Sequence, residues 1–340
     1  MTAVPSVLLV GVGRWGENHL RVWQRLEAEG LCRLVGVYDT EKSRRQSIAE
    51  KFGVKTFSDE GGFASADAVD VVVPTYNHFQ VVKKALLAGK DVLVEKSVTA
   101  TFKEALELQK LQQRSSHILM VGHLFRYNPA LDRTMKLLKE GEIGKIRFLR
   151  GRFMGFRDKE HDVGVLATTA IHFIYVSNYI VGKFPKTVRA DADFLLDQKL
   201  DDHCLIRLNY GPEFSIIESD YFTPGKYRTF DIIGTRGSIV LDMLNQKVEL
   251  RREWHVKSGT RFNAYNGGMI PQNFEFEEPL HLLPRHLRAE FEKTLGVHIE
   301  GDLCPQCQDR LKKDFTDPDG VVRWQDVPVI RFSFSDRNKR

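Results

Sequence analysis

A short apolar run opening into glycines constrains this chain more than any other feature. "SVLLVGV" (6–12) shows no polar alternation, and "GVGRWG" places Gly11, Gly13 and Gly16 at its end, where a helix begins. A run without alternation suits a strand buried on both faces, as in a parallel sheet with helices above and below. The first glycine permits a tight turn, the second lets a pyrophosphate approach the backbone, and the third allows the helix to pack closely on the strand. The helix N-terminus then faces the phosphates, so Arg14 and Trp15 inside the motif join the candidate cofactor contacts. Asp39 ends the second apolar run, about 20 residues after the last glycine, where a carboxylate accepts hydrogen bonds from ribose hydroxyls and repels a 2′-phosphate. NAD is therefore expected. Arg44 and Arg45 follow closely and weaken that preference, so NADP stays open.

Further runs of the same kind stand at 34–38, 69–73, 91–95 and 117–121, with helical patterns between them. Phe79, Val82 and Leu86 recur at helical spacing, with Gly89 as the expected C-cap. This half reads as a doubly wound α/β domain with a parallel sheet. Ligands of such sheets bind outside the carboxyl ends of the strands. Pro74, Thr75, Asn77 and His78 in "VVVPTYNHF" lie at one such end, and Glu95 and Lys96 in "VLVEKS" at the next.

The second half changes character. Asn128, Pro129 and Gly141 bracket a helix as N-cap, first helical residue and terminator. Strands with period-2 alternation follow; in "HCLIRLNY" Cys204, Ile206, Leu208 and Tyr210 face one way. This predicts an α+β unit with a mainly antiparallel sheet covered on one face. A helix over about 165–181, carrying His172, is expected to pack on that face.

Composition narrows the function class. Hydrophobic residues at 42% and charged residues at 28% suit a soluble globular protein. No apolar run approaches the ~20 residues needed to span a bilayer, so no membrane association is expected. "MTAVPSVLLVGVG" lacks a charged n-region and a cleavage site, which makes the cytoplasm the expected location. Fifty Lys plus Arg against 45 Asp plus Glu leave a net charge of +5, spread too thinly for a nucleic-acid partner. The densest basic stretch, "GKIRFLRGRFMGFRDK" (144–159), alternates like a solvated strand face. Cys32 and Cys204 read as buried thiols. Cys304 and Cys307 form a lone CxxC without a second pair, so no metal site is expected.

"GVGRWGENH", "VPTYNH", "ALLAGKDVLVEK", "GHLFRYNPAL" and a later helix with one histidine occur in this order. Together they resemble the Gfo/Idh/MocA oxidoreductases over about residues 6–250. The resemblance implies a Rossmann domain over 1–122 and an α+β substrate and oligomerisation domain over 123–300. Residues 301–340 are left as a divergent segment. It also implies hydride transfer between a nicotinamide cofactor and a carbinol or keto carbon of a sugar, cyclitol or sugar nucleotide. The open sheet of the second domain would join a homodimer or homotetramer. Residues 221–246 look most like the members acting on sugar nucleotides.

Carried over by position, Lys96 and His172 become the catalytic candidates. His172 would accept the hydroxyl proton, a task suited to an imidazole. The Lys96 ammonium would steady the developing negative charge on the same oxygen and help to position the cofactor. Arg126, Asn128, Thr168 and Lys226 are candidate substrate contacts. Three departures stand out. Thr168 occupies the place of an aspartate four residues before the histidine, leaving Asp162, His161 or Tyr175 to compensate. Ser97 replaces the proline of "EKP", and the C-terminal segment has no counterpart. The alternative reading is a repurposed NAD(H)-binding member with a weakened site.

Overall fold

The computed structural model describes residues 4–157, 163–196, 199–274 and 278–281. Two units form: residues up to Gly122 together with Leu280 and His281, and His123–Pro279. The expected boundary at 300 lies outside the described residues, but Leu280 and His281 already belong with the first unit.

The first unit runs β1 (Ser6–Val10), α1 (Arg14–Ala28), β2 (Arg33–Tyr38), α2 (Lys42–Phe52), β3 (Thr56–Phe57), β4 (Ala68–Val71), α3 (Thr75–Leu87), β5 (Asp91–Glu95), α4 (Phe102–Gln113) and β6 (Leu119–Gly122). Its strands are parallel, in the order β3-β2-β1-β4-β5-β6. Strand order reverses between β1 and β4, and a crevice at the carboxyl ends there is the ligand position of this fold. Leu8 and Val10 enter one core with Val71 and Val94, while Leu9 enters the other with Leu20 and Val37. Both faces of β1 are thus covered, which is why its sequence does not alternate. Each such side chain contributes about 1.5–3 kcal/mol when fully buried.

The second unit contains α5 (Pro129–Lys139), β7 (Ile146–Gly155), a π-helical turn at Leu166–Ala170, α6 (Ile171–Val181), and strands β8 (Thr187–Asp193), β9 (His203–Asn209), β10 (Phe214–Asp220), β11 (Lys226–Gly234), β12 (Ser238–Asp242), β13 (Lys247–Ser258) and β14 (Arg261–Gln272). They form one sheet in the order β14-β13-β12-β11-β7-β10-β9-β8. Only the β7–β10 pair is parallel. Cys204, Ile206, Leu208 and Tyr210 all enter the core, as the alternation required. Phe173 of α6 meets Phe230 of β11 with ring centres 4.4 Å apart. Gly151 of β7 admits that pair, since a methyl there would stand 2.8 Å from both rings. The predicted helix over 165–181 needs one correction: its first turn is π, with the Ile171 N–H donating to Leu166 O. No helix among the described residues is long and apolar enough to cross a membrane.

Candidate active site

The three glycines of the first unit divide their labour as the motif requires. Gly11 has φ +92°, and a methyl group there would collide with the Val72 carbonyl at the end of β4. A methyl on Gly16 would collide with the Gly11 carbonyl, so α1 could not approach β1. At Gly13 a methyl would meet nothing within 4 Å. The space that Gly13 keeps clear is therefore not needed by the protein itself, which fits the approach of a ligand. Gly13 is also the N-cap of α1 and offers no side-chain cap, leaving the helix N–H groups for an anion.

Asp39 Oδ2 accepts from the Val12 N–H (3.0 Å), and Oδ1 accepts from the Glu41 N–H (2.9 Å). Arg44 Nη1 donates to both oxygens at 3.1 Å. Burial alone would push this carboxyl up, but the two N–H groups and Arg44 hold it below the usual carboxylate range. It is thus ionised, and Arg44 offsets part of its charge, as the closeness of the arginines suggested.

Lys96 directly follows β5 and is half-buried. On one side of it Glu95 points inward, with Oε1 3.4 Å from His19 Nε2. His19 Nδ1 lies 2.8 Å from Asp70 Oδ2, which also accepts from Trp23 Nε1 at 2.6 Å. On the other side, Ser97 O lies 2.6 Å from Nδ1 of His78, whose Nε2 is 2.8 Å from Val73 O. His78, expected as a cofactor contact, is buried, and its ring ties the ends of β4 and β5 together. Glu95 likewise serves the ion pair, with a further hydrogen bond from Trp15. Arg14, Pro74, Thr75 and Asn77 fall at the carboxyl ends of the strands or the first helical turns, as expected.

The His19–Asp70–Glu95 cluster was not anticipated from sequence. Burial opposes charge on His19, yet the attraction and hydrogen bonds of Asp70 and Glu95 outweigh it and raise its pKa to about 10. A group whose folded pKa is raised stabilises fully below its unfolded value of about 6.5 and loses that contribution as pH rises through the folded value. The unfolding free energy of the native chain should therefore fall between about pH 6.5 and 10, with a slope of up to about 1.4 kcal/mol per pH unit, and the thermal midpoint with it. In His19→Gln this descent should flatten. Equal slopes in the two proteins would show that His19 is neutral when folded.

In the second unit His172 lies on the first turn of α6, 8% exposed. Phe125 meets it edge-on at 4.9 Å, and Phe153 stacks with it at 5.7 Å. Thr168 sits in the π turn, and its hydroxyl donates to Gly164 O at 2.6 Å. That proton is committed to the turn itself. Asp201 Oδ2 accepts from the Leu166 N–H (2.7 Å) and holds the turn's entry. Of the residues proposed to compensate for Thr168, Asp162 and His161 lie outside the described residues. Tyr175 stacks on His123 at 4.1 Å.

Two of the expected substrate contacts make structural contacts within the second unit. Asn128 is buried, caps α5 by accepting from Ala130 and Leu131, and donates to Met243 O. The Arg126 guanidinium is buried 4.1 Å from the centre of the Tyr179 ring, with Asp132 at 3.7 Å. Lys226 is exposed at the start of β11. No cluster with metal-ligand character occurs among the described residues.

Residues 6–123 match the family model described as "Oxidoreductase family, NAD-binding Rossmann fold", and residues 132–240 match the "GFO/IDH/MocA C-terminal domain". The chain belongs to the Gfo/Idh/MocA family. Among its relatives is UDP-N-acetylglucosamine 3-dehydrogenase of Acidithiobacillus ferrooxidans, 29% identical over 57% of this chain; the match spans only 59% of that protein. The scyllo-inositol 2-dehydrogenase (NAD(+)) of Bacillus subtilis is 25% identical over 70% of this chain and 74% of its own length. The solved structure of the Acidithiobacillus enzyme superposes with a TM-score of 0.72 at 22% identity, covering 86% of this chain and 90% of that one. Residues 263–340 match a different model, the "PrkA AAA domain". The whole sequence contains no G-x-x-x-x-G-K-[ST], so this match brings no phosphate-cradling loop of that kind.

Like its family, the first unit is an NAD-binding Rossmann fold. That fold and its cofactor class were legible from the glycine motif and the apolar runs. His19 and Asp70 were missed, although an aspartate inside the apolar run "VDVVV" was a usable signal.

Proposed function

We propose that this Gfo/Idh/MocA member is an NAD-dependent dehydrogenase or reductase acting on a CH–OH group of a sugar, cyclitol or sugar nucleotide. The observation that carries this reading is His172, fixed between two phenylalanines on a sequence-matched helix of a chain whose other unit binds NAD. NAD, when bound, supplies the hydride acceptor. His172 takes the hydroxyl proton, and Lys96 donates a hydrogen bond to the substrate oxygen as charge develops there. The glycine junction and Asp39 hold the dinucleotide. A homodimer or homotetramer through the second sheet and a cytoplasmic setting complete the proposal. The exposed side chain of Leu205 on the outer sheet face supports the first.

A second reading, a repurposed NAD-binding member, is favoured by Thr168, which provides no carboxylate beside the histidine. One experiment separates them. The native chain and Gly13→Ala are incubated with NAD or NADP and a panel of inositols, free sugars and UDP-sugars, and NADH or NADPH formation is followed. At least one panel compound should be oxidised by the native chain with NAD preferred. Gly13→Ala should fold normally yet lose NAD affinity, because its methyl obstructs only the ligand. NAD binding without turnover on any panel compound would favour the second reading.

A further inference from the structure

Two arginines of the second unit stand together with no ion pair among the described residues. Arg157 follows β7, its N–H donating to Tyr221 O at 3.3 Å. Arg228 lies on β11, in register with Phe153 of β7. Both guanidiniums approach the Phe153 ring, Arg228 at 3.6 Å and Arg157 at 5.9 Å from its centre, and Arg157 also lies 4.7 Å from the Tyr221 ring. The same Phe153 ring stacks with His172. Two cations and the candidate base are therefore gathered around one side chain.

Their hydrogen bonding leaves the charges unanswered. Arg228 donates through Nη1 to the carbonyls of Met154 and Tyr227, which fix its position without neutralising it. Nε and Nη2 of Arg157 are buried and have no hydrogen-bond partner among the described residues. Asp220 attracts Arg157, but its carboxylate is occupied by the N–H groups of Phe222 and Thr223 and by the Thr223 hydroxyl. Burial, and then the charge of Arg157, bring Arg228 down to about 10, so the two groups oppose each other. Buried donors left unmade and like charges held together are both costly. Such an arrangement is characteristic of a site completed by a ligand.

We propose that Arg157 and Arg228 form an anion subsite beside His172, so that the substrate is a sugar carrying a carboxylate or a phosphate. This rests on the reading of His172 as the substrate-facing base. A planar guanidinium matches either group through paired N–H donors. Lys226, two residues before Arg228 on the same face of β11 and exposed, stands at the rim.

The test is binding, read by titration calorimetry on the NAD-loaded chain. Glucuronic acid probes the carboxylate; glucose 6-phosphate and UDP-N-acetylglucosamine probe the phosphate. Glucose and myo-inositol are the neutral controls. At least one charged probe should bind tenfold or more tightly than its neutral counterpart, weakening as salt rises. Arg157→Gln should reduce that affinity at least tenfold. Arg157→Lys, which keeps charge but not the fork, should reduce it partially. Far-UV circular dichroism and a thermal unfolding midpoint close to native in both variants certify folding, and NAD affinity should be unchanged. Equal binding of neutral probes, binding of no charged probe, or a charged probe held equally well by folded Arg157→Gln would overturn the proposal. A charged probe that binds but is never oxidised leaves the subsite standing and removes the dehydrogenase reading. Oxidation of a neutral sugar at an unchanged rate in Arg157→Gln does the reverse.

Discussion

Replacing His172 by alanine should lower kcat by about 10²- to 10⁴-fold, the range lost when a positioned general base is removed. NAD affinity should stay within about twofold, because His172 lies in the second unit and the dinucleotide elements lie in the first. The neighbours of His172 explain why the loss should be confined to chemistry. Phe125 and Phe153 fix the ring plane by contact, and both remain in the variant. The cavity left costs stability of the order of a large-to-small core substitution, about 2–5 kcal/mol. A His172→Asn variant, closer in volume and still polar, should fold better and be as slow. Steady-state NADH formation gives kcat, and fluorescence titration gives the NAD dissociation constant. If both variants keep kcat within about threefold of native, His172 is a packed aromatic neighbour and nothing more.

The fold was legible where one residue decided one local event. The unalternating β1 announced burial on both faces, and the structure divides Leu8 and Leu9 between two cores. The alternation of β9 announced a single covered face. Asn128 before Pro129 announced a helix start. The sequence pattern failed where the deciding partner is remote. Asp70 lies in an apolar strand and is matched by His19, 51 residues away, which no local window contains. The position of His78 at a strand end does not announce that Val73 O and Ser97 O, 5 and 19 positions away, meet its ring. The π turn before His172 has no local signature. It coincides with Asp201 capturing the Leu166 N–H, a contact across 35 positions. The alternation over 144–159 makes Arg157 the end of a solvated strand face. The period of β7 gives no account of residues beyond Gly155, and there the chain brings Arg157 to Phe153 and Tyr221.

Lys96→Ala should lower kcat by about 10²- to 10³-fold, the cost of losing one preorganised donor to a developing oxyanion. The structure makes preorganisation the central point. Glu95 is anchored by His19, and His19 by Asp70; Gly122 leaves room for Glu95, since a methyl there would stand 2.8 Å from Oε1. Ser97, on the other side, is bound through its carbonyl to His78. Lys96 is thus held at both neighbours while its own side chain stays half-buried at the carboxyl end of β5. Burial pushes the Glu95 carboxyl up, but His19 and then Lys96 hold it below the usual range, so a carboxylate sits beside the ammonium throughout the working pH. Arginine should not restore the rate, because a planar fork cannot replace a compact point charge at a fixed spot. The decisive comparison is kcat against the Michaelis constant in Lys96→Ala, Lys96→Arg and the native chain. A fall in kcat with a nearly unchanged Michaelis constant marks a donor that acts mainly in the transition state. A rise in the Michaelis constant alone would reassign Lys96 to ground-state binding.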